Sequence, residues 1–213
     1  MKTEDLIATL AADVAPVSRH ALSRRLLAGL ALGGLVTLLA VGAGLGFRPD
    51  LWLAMHGSMF WIKWLYTASL ALCASLATLR LARPDAGVTG WLWAACLPVL
   101  GLLAISAREL ATAPSSQWLA MWLGASWKVC STNVFLLSVP IFGGLLWSFR
   151  RLAPTRLRLA GATAGLSAGA WGATLYCLHC PESSAIFVLT WYTLGMVLAA
   201  VGGALLGPRL LRW

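Results

Sequence analysis

Residues 177–206 read CLHCPESSAIFVLTWYTLGMVLAAVGGALL. The part from 185 to 206 carries no charged side chain, and its length suits a helix crossing a hydrocarbon core about 30 Å thick. The part from Cys177 to Ser184 is a polar turn with two thiols three residues apart, a histidine between them, a proline and an acid. A second apolar run, 157–178, ends in the same turn. A thiol-bearing turn between two membrane-length runs suggests a metal site, a redox enzyme or a sensor.

Composition agrees with the runs. Of the 213 residues, 60% are apolar and 11% charged, where a soluble domain carries about 25% charge. The pattern predicts an all-α polytopic membrane protein with six transmembrane helices, at 26–46, 61–80, 89–107, 129–149, 157–178 and 185–206. The first run follows a mixed segment containing acids and is too long for a signal-peptide core, so it reads as an anchor. Two units result: a segment 1–25 and a membrane domain 26–213.

The net charge of +9 reflects topology rather than nucleic-acid binding. Twelve basic residues (Lys2, Arg19, Arg24, Arg25, Arg80, Arg83, Arg150, Arg151, Arg156, Arg158, Arg209, Arg212) fall on one set of inter-run segments. Four (Arg48, Lys63, Arg108, Lys128) fall on the other. The bias places both termini in the cytoplasm and the segments 47–60, 108–128 and 179–184 outside. Lys63 and Lys128 are expected to snorkel to the outer interface. Several of the twelve tryptophans flank the runs, where indoles favour the interface.

Gly161, Gly165 and Gly169, and likewise Gly29 and Gly33, recur every four residues, a spacing for close helix packing in lipid. Pro98 and Pro140 are expected to kink the third and fourth spans. No Asp or Glu lies at mid-depth, which disfavours a transporter.

Among the five cysteines, Cys73 and Cys96 fall deep in spans two and three and read as small hydrophobes. Cys130, Cys177 and Cys180 gather at the outer face, where a bacterial periplasm permits disulfides. A tetrahedral metal site would need Cys130, Cys177, His179 and Cys180 together, without a second paired motif. A thiol–disulfide oxidoreductase would need a further thiol pair or a cofactor. The simplest arrangement is a reversible bond from Cys130 to one of the other two, and Cys180, beside Pro181, is the less embedded.

At the amino end, Thr3 caps a short helix, with Glu4 and Asp5 in its first turn and Leu6, Ile7, Leu10 and Val14 on one face; Pro16 ends it. Such a helix is marginal alone in water. Residues 1–14 carry one base against three acids, which favours a basic protein partner over lipid.

The stretches TEDLIATLAADVAPV (3–17), RRLAPTRLRLAGATAG (150–165), LHCPE (178–182) and GALLGPRLLRW (203–213) together resemble the NrsF-type family of bacterial integral-membrane anti-sigma factors. The resemblance spans nearly the whole chain and includes the six-span plan. It implies a regulator, not an enzyme, of the bacterial inner membrane, with no cofactor, no bound metal and no direct contact with nucleic acid. Its partners would be membrane lipid and an extracytoplasmic-function sigma factor. The family's sigma-contacting motif maps to Asp5, Leu6, Ile7, Leu10, Pro16 and Val17. Its periplasmic cysteine pair, which perceives oxidative or heavy-metal stress, maps to Cys130 and Cys180. Cys177 and His179 fall outside that pattern. The alternatives are a membrane thiol–disulfide oxidoreductase and, less in keeping with the sequence, a metal or small-molecule transporter.

Overall fold

A computed structural model describes residues 3–5, 12, 20–83, 90–149 and 155–211, with only the backbone at Leu92. The described chain is helical, and no strand occurs among the described residues. The long helices are α1 (Ala21–Leu45), α3 (Ser58–Leu81), α5 (Cys96–Thr112), α7 (Trp127–Phe149), α8 (Leu157–Tyr176) and α9 (Ala185–Leu210). The short ones are α2 (Leu51–His56), α4 (Gly90–Ala94) and α6 (Trp118–Leu123).

The six long helices occupy the six expected runs, but four helical stretches, not six, are long and apolar enough to cross a membrane: Ala21–Leu45, Ser58–Leu81, Ser115–Phe149 and Ala185–Leu210. The two that fall short do so for different reasons. Pro98 lacks an N–H and its ring crowds the carbonyl four residues earlier, at Ala94. The helix therefore breaks between Ala94 and Cys96, and α5 runs 96–112 instead of 89–107, with 17 residues. Cys96 thus starts a helix and is exposed, rather than lying deep in a span. Pro140, by contrast, sits within an uninterrupted α7. In α8 the cause is composition. It is built largely of Ala, Gly, Ser and Thr, most of them buried, because it packs against α3, α7 and α9 at once. A helix surrounded by helices needs small residues more than oily ones.

The glycine spacings do what the sequence predicts. A Cβ added at Gly161 would meet Gly203 and Gly207, one at Gly165 would meet Ala199, and one at Gly169 would meet Ala199 and Met196 of α9. Gly29 and Gly33 of α1 lie likewise against Gly144, Pro140 and Ile141 of α7. Thr37 donates to the carbonyl of Leu137 at 3.0 Å and Ser148 to that of Arg25 at 2.8 Å, so α1 is fastened to α7 along most of its length.

Two apolar cores mark the two ends of the bundle. Leu26, Leu81, Phe149, Ala160 and Leu211 share one. Val41, Tyr66, Cys130, Tyr176 and Ala185 share the other. Successive long helices therefore alternate in direction. Arg24, Arg25, Arg80, Arg83, Arg156, Arg158 and Arg209 belong to the first end by their helix positions, whereas Arg48, Lys63, Arg108 and Lys128 belong to the second. Two segments expected as loops at the second end, 47–60 and 108–128, hold the short helices α2 and α6.

Candidate functional site

The turn from Cys177 to Ser184 folds inward at the second end. Cys130, Cys177 and Cys180 are all fully buried in one core with Tyr176 and Tyr192. Cys130 comes from the first turn of α7, Cys177 closes α8, and Cys180 lies in the turn itself. All three are free thiols, and those of Cys130 and Cys180 act more strongly on each other than any other group acts on either. Cys177 donates instead to the carbonyl of Ala173 one helical turn back, at 3.3 Å. Of the two candidates in the turn, Cys180 rather than Cys177 is the one that acts on the Cys130 thiol.

Lys63 departs from expectation. It does not snorkel; its side chain is buried, with 2% of the residue exposed, and turns into the thiol cluster. Its ammonium donates to the carbonyls of Cys180 at 2.9 Å and Glu182 at 3.0 Å, and lies 5.7 Å from the centre of the Tyr192 ring. A buried cation must be satisfied by local acceptors, and a turn whose carbonyls point inward supplies two. Tyr192 belongs to a π-helical turn, Val188–Tyr192, in α9. Such turns are frequent at functional sites. Its hydroxyl is fully buried with no oxygen or nitrogen partner, and it lies beside the thiols of Cys177 and Cys180.

The turn is anchored from several sides. His179 Nδ1 lies 2.7 Å from the carbonyl of Gly46, the Arg48 amide donates to the carbonyl of Leu178 at 3.1 Å, and Arg48 pairs with Asp50 at 2.7 Å. Glu182 Oε1 accepts from the amides of Ala125 at 2.8 Å and Ser126 at 3.0 Å, capping the helix that carries Cys130. Glu109 Oε2 performs the same service for α9 through the amide of Ala185, at 2.8 Å. Carboxylates at helix N-termini meet unpaired N–H groups and the positive end of the helix dipole.

The two thiols of the turn differ electrostatically. The hydrogen bond with Cys130 holds the Cys180 thiol below the usual thiol range, aided by the Lys63 ammonium and the Tyr192 hydroxyl and opposed by burial. Cys177, at the end of α8, instead keeps its hydrogen on the Ala173 carbonyl. The site therefore gathers two buried sulfurs that interact strongly with one another at one end of the bundle. Among the described residues no group of three or more His, Cys, Asp or Glu side chains is placed to hold a metal ion. His179 is spent on Gly46, away from the Cys130–Cys180 contact.

Of the residues mapped to sigma-factor contact, Asp5 is described and lies in a helical turn at Thr3–Asp5. Leu6, Ile7, Leu10, Pro16 and Val17 lie outside the described residues. Sequence reasoning missed Lys63 and Tyr192 as members of the thiol cluster. The one signal for Lys63 was a cation placed five residues into an apolar helix.

The described chain is an all-helical bundle with a buried thiol cluster at one end, and comparison with known proteins gives the family. A family model described as negative regulator of sigma F matches residues 10–213, and the chain belongs to this NrsF family. It is 45% identical over 214 residues to the probable anti-sigma-F factor NrsF of Azospira oryzae, and 42% identical over 216 residues to the anti-sigma-F factor NrsF of Caulobacter vibrioides, covering the whole of both chains in each case. No solved structure matches it.

Proposed function

We propose that the protein is an inner-membrane anti-sigma factor. It holds an extracytoplasmic-function sigma factor through its amino-terminal segment and releases it when the Cys130–Cys180 pair reacts with an oxidant or a thiol-reactive metal. Family membership over nearly the entire chain supports the regulatory role. The observation that carries the sensing role is the burial of Cys130 and Cys180 in one cluster as strongly interacting free thiols, 50 residues apart in sequence.

Six membrane crossings are supported by the alternating bundle, by leucines such as Leu27, Leu65, Leu97 and Leu205 turned out from it, and by the separation of basic residues between its ends. The basic end faces the cytoplasm with both termini, and the thiol end faces the periplasm. α7 connects the two functions. Cys130 lies in its first turn, and Ser148 near its other end donates to the carbonyl of Arg25, where α1 leaves the amino-terminal segment. A shift of α7 on reaction of Cys130 reaches the sigma-binding segment through α1. A coupling of about 1–3 kcal/mol alters affinity roughly 5- to 150-fold, enough for a switch.

Affinity capture of the tagged, full-length protein from detergent-solubilised membranes, with mass spectrometry of the retained proteins, tests the reading. A sigma factor recovered from unstressed cells and lost after oxidant treatment is expected. Its absence from untreated membranes would overturn the proposal.

A further inference from the structure

We infer that Lys63 is the counter-ion of a Cys180 thiolate, making Cys180 the attacking sulfur of the cluster toward soft electrophiles, with Cys130 as its neutral hydrogen-bonding neighbour. The inference refines the sensor reading above and rests on it for its biological meaning alone.

The argument begins with an unbalanced charge. Lys63 is buried in an apolar bundle, yet among the described residues no carboxylate lies within ion-pairing distance of it, and the Arg48–Asp50 pair does not include it. Glu182 offers Lys63 only its carbonyl, because its carboxylate is engaged at the N-terminus of α7. An ammonium has three hydrogens to donate, and two are placed on the carbonyls of Cys180 and Glu182. A buried charge left with neutral acceptors alone is costly. The anion that would balance it has to come from the thiols and phenols of the cluster.

Cys180 is the group whose surroundings suit an anion. It is fully buried in one core with Cys130, Tyr176 and Tyr192, and the Lys63 ammonium donates to the Cys180 carbonyl at 2.9 Å. A thiolate there offers an acceptor to the buried Tyr192 hydroxyl, which has no hydrogen-bond partner. Cys177 also lies near Lys63 and Tyr192, but it donates its own hydrogen to the Ala173 carbonyl at 3.3 Å. The charged and titratable groups facing Cys180 are Lys63 from α3, Cys130 from α7, Tyr176 and Cys177 from the end of α8, Glu182 from the turn and Tyr192 from α9. Arg48 adds a weak contact, 3.5 Å from the Cys180 carbonyl.

Iodoacetamide reports the thiolate directly: the sulfur attacks the methylene carbon, a C–S bond forms and iodide leaves with the C–I electron pair. The full-length protein in detergent is alkylated at a series of pH values, and peptide mass spectrometry gives the rate at each cysteine. The midpoint of the pH–rate profile reports deprotonation, whereas access affects only the plateau. In the wild type, Cys180 is expected to have a lower midpoint than exposed Cys96. Lys63→Met should raise that midpoint by at least about one unit, and Lys63→Arg should largely restore it. Tyr192→Phe, which removes a single donor, should move it in the same direction by less. A wild-type midpoint equal to that of Cys96, or a Lys63→Met profile superimposed on the wild type, overturns the inference. If Lys63→Met does not accumulate, an unmoved midpoint in Tyr192→Phe does so. The sensor reading is tested separately by sigma-factor release from Cys180→Ser, so either idea can fail while the other stands.

Discussion

The carboxylate of Glu182 accepts the backbone N–H of Ser126 at 3.0 Å, so the turn that carries Cys180 caps the helix that carries Cys130. The Ala125 amide and the Ser126 hydroxyl join the same oxygen at 2.8 and 3.0 Å. Two segments far apart in sequence are thereby held in register at the thiols. Glu182→Ala should destabilise the folded protein by about 0.5–2 kcal/mol, as loss of a helix cap does. Thermal unfolding in detergent, followed by circular dichroism, measures the effect, and an unchanged midpoint would mean that the cap does not hold the turn.

The sensing pair is tested by single substitutions. Cys130→Ser and Cys180→Ser should each abolish release of the sigma factor in response to oxidant, read from a promoter that this factor drives. Cys73→Ser, in α3, and Cys96→Ser, at the exposed start of α5, should respond normally. A normal response from Cys180→Ser would remove the turn from the mechanism.

Close approach of α8 and α9 makes a sharp contrast between two glycines. A Cβ at Gly165 would run into the backbone of Ala199, whereas one at Gly34 would meet nothing within 4 Å. Gly165→Leu should cost about 1–3 kcal/mol or more through overpacking. Gly34→Ala should be neutral or gain about 0.5–1 kcal/mol from helix propensity. Monodispersity and melting temperature after purification distinguish them.

Docking through the amino-terminal segment predicts that Leu6→Asp or Ile7→Asp releases the sigma factor constitutively. Burying such side chains is worth about 1.5–3 kcal/mol each, and a segment that folds on binding has little surplus. Lys2→Ala, off the apolar face, serves as the control. Retention of the sigma factor by membrane-localised Leu6→Asp would move the docking site to the basic inter-helix segments.

Orientation is open to direct labelling. In a background without native cysteines, Ser115→Cys and Ser183→Cys should react with an impermeant maleimide in intact spheroplasts, and Thr155→Cys should not. The opposite pattern would invert the protein in the membrane.

The long apolar runs were legible because hydrocarbon thickness imposes a length on them, and the ends of α1, α3, α7, α8 and α9 fall within about five residues of expectation. α5 was misplaced because Pro98 was read as a kink in a running helix, whereas it delays the helix start. The glycine spacings identified the α8–α9 and α1–α7 contacts in kind but not in partner, since spacing says which face is small and not what lies on it. Lys63 was misread for a similar reason. Its acceptors are carbonyls of Cys180 and Glu182, more than 100 positions away, and main-chain groups leave no trace in side-chain pattern. The pairing of Cys130 with Cys180 was favoured by the place of Cys180 in the turn beside Pro181 and by the family resemblance, and Tyr192 carried no signal that set it apart from other interfacial aromatics.

The grip of Ser148 on the carbonyl of Arg25 has a kinetic consequence. From Cys130 to Ser148, α7 is one continuous rod of about 27 Å at 1.5 Å per residue, unbroken at Pro140, with α1 seated on it through Gly29 and Gly33. On the proposed mechanism a displacement at Cys130 travels along this single helix, so the lag between exposure and transcription is governed by how fast the sulfurs react, and the time course of release should follow the thiol chemistry in step.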